Sequence, residues 1–443
     1  MADIVEGMNR LLWGAPALIL ILGVGLYLTI RLGAAQLTLF PRAVKAFCAQ
    51  FRKDTGREGV SSFQAMCTAL GATVGTGNLV GVAGAICLGG PGAIFWMWLC
   101  GLLGMATKFA EATLAVRYRV KEKDGWRGGP MYTILGGLGS RWLPAAKLYS
   151  LFGVIAAFGM GNATQINAIT TSVRGLLPIE NWLLGMVLAA IVAALLFGGA
   201  GRIGTAAERL VPFAAGGYIL LCLGVLAVKA EALPAAFSAI VQGAFSPRAV
   251  TGGALGSAFQ ALRIGCSRGV FTNEAGMGTA SIAHAAAEVD HPCQQGLMGI
   301  MEVFLDTIVI CTLTALVILT SGVPIPYGQD VGGALTTQAF SSVFGTGAGI
   351  FLAAALVLFA LATILGWGLY GARCAEFLFG PKAWTWFALA QTAMVLFGAV
   401  ADTGAVWALA ETVNGLMVLP NLITLAALTP ELCRLTKEYK KIR

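Results

Sequence analysis

"GATVGTGNLVG", Gly71–Gly81, places four glycines, two threonines and an asparagine within a run, residues 59–107, that contains no charged residue. Glycine-rich segments normally form loops, yet this one sits in the kind of apolar sequence that crosses a bilayer. Its meaning depends on the rest of the chain. The 443 residues are 57% hydrophobic and only 11% charged, with a mean hydropathy of +0.80, against about 25% charged for an ordinary soluble domain. Uncharged windows recur at 148–173, 181–201, 210–228, 307–329, 331–372 and 383–401. A helix crossing the hydrocarbon core needs about 20 residues, so these windows predict a polytopic, all-α membrane protein.

Eleven spans are expected, at 11–32, 64–87, 91–116, 145–175, 181–200, 210–228, 254–286, 295–320, 347–371, 383–400 and 404–428. The first follows Asp3 and Glu6 rather than a basic cluster, and reads as a retained helix rather than a signal peptide. Residues 321–344, with Pro324 and Pro326, form a loop long enough for a short helix of its own. "KEKDGWRGG", Lys121–Gly129, is a solvated loop. The chain divides into residues 1–60 (extra helix and linker), 61–230 and 231–430 (two five-helix halves) and 431–443 (basic tail).

The formal charge of +8 follows topology, not nucleic acid. With the N-terminus outside, Arg42, Lys45, Arg52, Lys53, Arg57, Arg117, Arg119, Lys121, Lys123, Arg127, Arg202, Arg209, Arg373, Lys382, Lys437, Lys440, Lys441 and Arg443 face inward. Only Arg10, Arg174, Lys229 and Arg248 face outward. This pattern satisfies the positive-inside rule for an inner (plasma) membrane protein with a cytoplasmic C-terminus.

Two spans are interrupted. The second carries Gly71, Gly75, Gly77 and Gly81; the seventh carries "RGVFTNEAGMGTAS", Arg268–Ser281, with Glu274 at membrane depth. Setting the first span aside, these are the first and sixth of ten, matching positions in two halves of odd length and hence opposite orientation. Paired interrupted helices point to a transporter binding site at the midplane. Unwound backbone in lipid is costly unless its polar groups find partners. A half-helix N-terminus suits a carboxylate, and freed carbonyls suit an ammonium group or a small cation. Close packing through small-xxx-small patterns is the competing explanation for either helix alone. An amino acid zwitterion with Na⁺ fits the pair.

"GATVGTGNLVGVAGAICLGGPGAIFWMW" (Gly71–Trp98), "RGVFTNEAGMG" (Arg268–Gly278) and "FALATILGWGLYG" (Phe359–Gly371) resemble signatures of the alanine/glycine:cation symporter family. That family is similar in fold to the leucine-transporter-like group of five-plus-five inverted repeats. The resemblance implies secondary symport of a small neutral amino acid, alanine or glycine, with Na⁺; proton coupling is the alternative. Thr76 and Gly77 would offer amides to the substrate carboxylate. Carbonyls of Thr73, Phe271 and Thr272 would face its ammonium, and Gln165 in "GNATQINA" would hydrogen-bond it. Asn78 and Asn273 would brace the breaks or touch the ligand, beside Gly276, and Trp367 would close a small side-chain pocket. Na⁺ would sit among Gly71, Val74, Phe359 and Thr363. Where the family has Ser-Thr this chain has Ala362-Thr363, one cation oxygen fewer. Ser281 stands at a common proline position, and "GWGLYG" replaces a run with two adjacent tyrosines.

Other features have plainer readings. Lys108 and Glu111 are spaced for a local helical pair. Glu302 and Asp306, four apart, leave a structural role and a functional one, gating or proton sensing, both open. Glu274 is expected to accept hydrogen bonds from freed amides or to pair with Arg263 or Arg268. His284 and His291 read as interfacial histidines. "GAGRIG", Gly199–Gly204, has no preceding strand and is a turn, not a nucleotide motif. The ten cysteines form no CxxC pair and read as buried apolar groups. No catalytic set assembles at one depth, so the chain is not read as an enzyme. No organic cofactor, nucleic acid or obligatory protein partner is expected; membrane lipid and a small amino acid are.

Overall fold

The computed structural model describes residues 14–50, 59–122, 125–174, 178–246, 251, 257–401 and 404–442. Asp3, Glu6, Arg10, Arg52, Lys53, Arg57, Lys123, Arg248, Arg443 and the beginnings of the first and seventh expected spans lie outside them.

Among the described residues the fold is helical, with one small hairpin, Val120–Glu122 against Gly125–Arg127, in the solvated loop. Helix α1 covers Ala15–Arg31, and α2, Phe40–Gln50, is amphipathic. The first interrupted span consists of α3, Ser62–Thr73, and α4, Val82–Gly89, joined by a wide helical turn at Gly77–Gly81. A long helix, α5, Gly92–Arg117, follows. Further along are α6, Leu143–Phe158, continuing through Gly159–Ala163 into α7, Thr164–Arg174; α8, Asn181–Leu196; and α9, Gly199–Val228.

The second interrupted span is α10, Ala258–Asn273, and α11, Thr279–Ala285. Then come α12, Pro292–Val303, extended by Phe304–Cys311 and Thr312–Thr320; α13, Gly333–Phe344, the short helix expected in the long loop; and α14, Gly347–Phe379. Helices α15, Ala383–Val400, α16, Gly404–Ala427, and α17, Thr429–Lys441, complete the chain.

Six helices are long and apolar enough to cross a membrane, or eight if two bent pairs are each one span. The expected count of eleven is higher because α1, α8 and the two halves α10 and α11 are each shorter than a full crossing. Several helices escaped the sequence reading: α2 in the linker, Pro130–Leu138, α17 in the tail, and the apolar Leu233–Phe245 between the sixth and seventh expected spans. The last of these docks on the start of α5 so closely that a Cβ at Gly92 would meet the Gly243 carbonyl carbon at 2.0 Å. Nothing larger than glycine fits there.

Helix α5 is the central pillar. Its buried face includes Met97, Gly101, Gly104, Lys108, Glu111 and Thr113. Small residues set the spacing: a Cβ on Gly104 would lie 3.2 Å from Ala275, and one on Gly101 would lie 3.0 Å from Thr307. Small-residue contact of this kind drives helix association where lipid supplies no hydrophobic effect. The second break and the α12 extension are thereby pressed against one rigid helix.

Candidate functional site

Helix α3 begins with a capping box at Ser61 and Gln64 and ends where its hydrogen bonding runs out. The last regular bond is Val74 N–H to the Leu70 carbonyl, 2.7 Å, and Val74 is extended at ψ 107°. The Gly75 amide, which would have served Gly71, instead donates to Asn78 Oδ1 at 2.9 Å. The chain bends by 50° before the helix resumes. This leaves the Gly71–Val74 carbonyls without their i+4 amide partners. The first interruption is a real break.

In the second, α10 stops at Asn273. Glu274 takes φ +53°, Gly276 +99° and Gly278 +79° before α11 starts. Left-handed backbone suits glycine; at Glu274 it is an uncommon conformation for a side-chain-bearing residue, held by the contacts around it.

The breaks touch. A Cβ on Gly77 would lie 3.0 Å from Thr272 Cγ2 and 3.9 Å from the Phe271 ring, so glycine permits the approach. Thr76, Gly77 and Phe271 keep some exposure although Thr73, Asn78, Thr272 and Asn273 beside them are buried. Half-exposed Val80 and Arg268 continue this open strip toward Asp330, which pairs with Arg268 at 3.4 Å. The helix resuming at Gly77 has no side-chain cap.

Three oxygens gather beside the first break. Thr363 Oγ1 lies 3.1 Å from the Gly71 carbonyl and 3.0 Å from the Phe359 carbonyl. One hydroxyl proton cannot serve both, so acceptors are in surplus, the donor chemistry a small hard cation takes. Val74 is fully buried next to them, and a Cβ on Gly75 would come within 3.0 Å of Thr363 Oγ1. Ala362 packs its methyl against Gly71 instead of adding an oxygen. Among the described residues no group of three or more His, Cys, Asp or Glu could hold a metal ion.

The asparagines act as braces. Asn78 Nδ2 donates to Asp306 Oδ1 at 2.7 Å, and Asn273 Oδ1 accepts from the Ala275 amide at 3.0 Å. Thr73 and Thr272 turn their hydroxyls back on their own helices, at Leu70 and Gly269. Gly276 faces the scaffold: its amide donates to Glu111 and its carbonyl accepts from Asn421 at 2.9 Å. Both its polar groups are therefore engaged away from Gly77 and Phe271. Trp367 is fully buried, donates from Nε1 to Glu274 Oε1 at 3.2 Å, and lies against Gly161, where a Cβ would meet it at 2.3 Å. Gln165 donates to the Met160 carbonyl at 3.2 Å, and its Oε1 is buried with no hydrogen-bond partner. One turn before it, Gly161 lies against Trp367, which bonds Glu274 in the second break.

Several pairings differ from expectation. Lys108 does not pair with Glu111; its Nζ lies 2.9 Å from Glu302 Oε1, because the two helices pack closely enough for a direct inter-helix bond. Glu111 instead accepts the Gly276 and Gly278 amides at 2.9 and 3.1 Å, the task expected of Glu274. Glu274 contacts neither Arg263 nor Arg268 among the described ion pairs; Thr279 Oγ1 donates to it at 2.6 Å. His284 is no interfacial residue. It is fully buried between Glu302 and Gln295, each at 2.8 Å. His291 does sit near the surface, capping α12 through Cys293 N–H at 3.1 Å.

The chain is similar to known proteins along its whole length. The sodium:alanine symporter family matches over residues 1–443. The sodium/alanine symporter AgcS of Methanococcus maripaludis is 42% identical, covering 100% of this chain and 98% of its own. The probable sodium/glutamine symporter GlnT of Bacillus subtilis is 38% identical over 100% and 91%. The solved structure of MhsT in complex with L-phenylalanine superposes with a TM-score of 0.55 at 14% identity, covering 86% of this chain and 99% of MhsT. At that identity the likeness speaks to fold, which is that of an all-α membrane transporter. Full-length match and paired broken helices agree: the chain belongs to the sodium:alanine symporter family, a transporter and not an enzyme.

Proposed function

We propose that the protein imports a small neutral amino acid, alanine or glycine, together with Na⁺. The observation carrying this reading is the contact of Gly77 with Thr272, which sets uncapped helix-initial amides beside a second break. The substrate carboxylate docks on the Thr76 and Gly77 amides, where the dipole favours an anion. Its ammonium faces the Thr73, Phe271 and Thr272 carbonyls. Na⁺ is held by the Gly71, Val74 and Phe359 carbonyls and the Thr363 hydroxyl.

Trp367, pressed on by Gly161, limits the side chain to about a methyl group. This favours alanine over the glutamine named for one relative. Gly276 contributes through the shape of the second break, and Gln165 through Trp367 or after a shift of α7. The molecule crosses an inner membrane eleven times, with the N-terminus outside, the C-terminus in the cytoplasm, and residues 61–230 and 231–430 as inverted halves. The likeness to MhsT supports the halves, and the basic-residue asymmetry supports the orientation. The exposed strip from Thr76 to Asp330 then opens outward.

Proteoliposomes test the proposal. An inward Na⁺ gradient is expected to concentrate labelled alanine, with unlabelled glycine competing better than glutamine. Uptake driven by a proton gradient and indifferent to Na⁺ would transfer the coupling to protons, a reading that the buried Lys108–Glu302–His284 set favours.

A further inference from the structure

Asp306 lies in the wide turn Phe304–Cys311 beyond α12, fully buried. Both of its carboxylate oxygens accept hydrogen bonds, one leading to each break. Asn78 Nδ2 donates to Oδ1 at 2.7 Å, and Thr307 Oγ1 donates to Oδ2 at 2.8 Å. Thr307 itself accepts from Asn273 Nδ2 at 3.2 Å. At the far ends, Asn78 Oδ1 accepts the Gly75 amide at 2.9 Å and Asn273 Oδ1 accepts the Ala275 amide at 3.0 Å. Four side chains thus form one unbroken relay from a peptide group in the first interruption to a peptide group in the second.

With the Asp306 carboxyl ionised, every bond in the relay has one direction. An asparagine amino group only donates, so once Asn273 has donated to Thr307 the single hydroxyl proton is free for Asp306. A carboxylate accepts at both oxygens and offers no donor. It therefore forces both asparagines to present their amino groups inward and their carbonyl oxygens to the unwound backbone. An amide at position 306 would keep an oxygen toward Asn78 but turn its amino group on Thr307, reversing that bond and displacing the hydroxyl proton from the line. Among the described ion pairs none includes Asp306; hydrogen bonds meet both of its carboxyl oxygens. Keeping an unpaired carboxylate at such depth is costly. A purely mechanical brace could be built from neutral groups.

We propose that Asp306 is a positioning residue for the amino acid site: its carboxylate sets the shapes of both breaks at once, so that neither half of the site is preorganised without the other. This rests on the amino acid reading given above. Asp306 touches neither the Thr76 and Gly77 amides nor the Thr363 oxygens, and acts on the ligand only through Asn78 and Asn273.

The test is alanine uptake kinetics in proteoliposomes, with unfolding curves for each variant. Asp306→Asn is expected to raise KM about tenfold, the loss of one charge-assisted hydrogen bond. The exchange Asn78→Asp with Asp306→Asn restores an acceptor facing a donor along the same line, and is expected to recover most of that loss. Thr307→Val removes only the arm toward Asn273 and is expected to raise KM several-fold with the unfolding midpoint little changed. A wild-type KM in Asp306→Asn or in Thr307→Val overturns the inference, as does a double exchange no better than the sum of its singles. Wild-type vesicles that do not take up alanine would remove the amino acid reading and this inference with it.

Discussion

Glu111 Oε1 lies 2.9 Å from the Gly276 amide nitrogen and 3.1 Å from that of Gly278. A carboxylate on the unbroken α5 thus satisfies backbone donors exposed by the second break, and Asn421 Nδ2 adds a third bond to the same oxygen at 2.8 Å. The Gly276 and Met277 carbonyls are met by Asn421 and by the Tyr149 hydroxyl at 2.9 Å. With this side of the break satisfied by protein, the proposed ligand contacts lie at its Phe271–Thr272 end.

Removing that cap has a calculable effect. Glu111→Ala orphans two buried amides and takes from Asn421 one of its two acceptors, and is expected to cost about 3 kcal/mol of stability, since each unmet buried donor costs about 1–3 kcal/mol. Glu111→Gln keeps an acceptor, and Glu111 Oε2 has no hydrogen-bond partner that an amino group would displace. It is expected to lose about 1 kcal/mol. Unfolding of the detergent-purified variants separates the two; equal losses would show that the amides find other partners.

The Lys108–Glu302 pair should behave as a buried ion pair and not as a surface one, with both side chains about 1% exposed. Lys108→Met leaves Glu302 with His284 as its partner and is expected to destabilise by about 3–5 kcal/mol, whereas Lys108→Met with Glu302→Gln should recover much of that. Additive losses in the unfolding midpoints would mean that the two residues act separately.

The oxygen cluster predicts which substitution alters ion dependence. Thr363→Val preserves shape but removes the hydroxyl, and is expected to raise the Na⁺ concentration for half-maximal uptake about tenfold, the equivalent of about 1.4 kcal/mol. Thr363→Ser keeps the oxygen and should stay near wild type. An unchanged Na⁺ titration in the valine variant would move the ion elsewhere.

How far these features were legible in sequence follows from the range of the forces involved. The breaks could be read from Gly71–Gly81 and Gly276–Gly278 because helix propensity and backbone sterics are local. The short helix at Gly333–Phe344 was anticipated from the length of its loop, which Pro324, Pro326 and a polar run mark out. Resemblance brought Thr363 and Gly71 into one set, and the structure places their oxygens 3.1 Å apart. Spacing misled for Lys108 and Glu111, because an i,i+3 rule sees only one helix whereas the real partner is 194 residues away. Helix Leu233–Phe245 was missed because it is too short to cross a membrane and its docking depends on Gly92 and Gly243, distant glycines whose contact no window of sequence contains.

Local chemistry in the sequence therefore determined that the chain enters a membrane, where its helices must yield, and which residue types surround the gaps. Tertiary structure alone decided which carboxylate meets which orphaned amide: Glu111 serves the second break, and Asp306 links both. Hydrogen bonds are satisfied within a few ångströms in space, and the packing of α5 against its neighbours brings those donors and acceptors together from opposite parts of the chain.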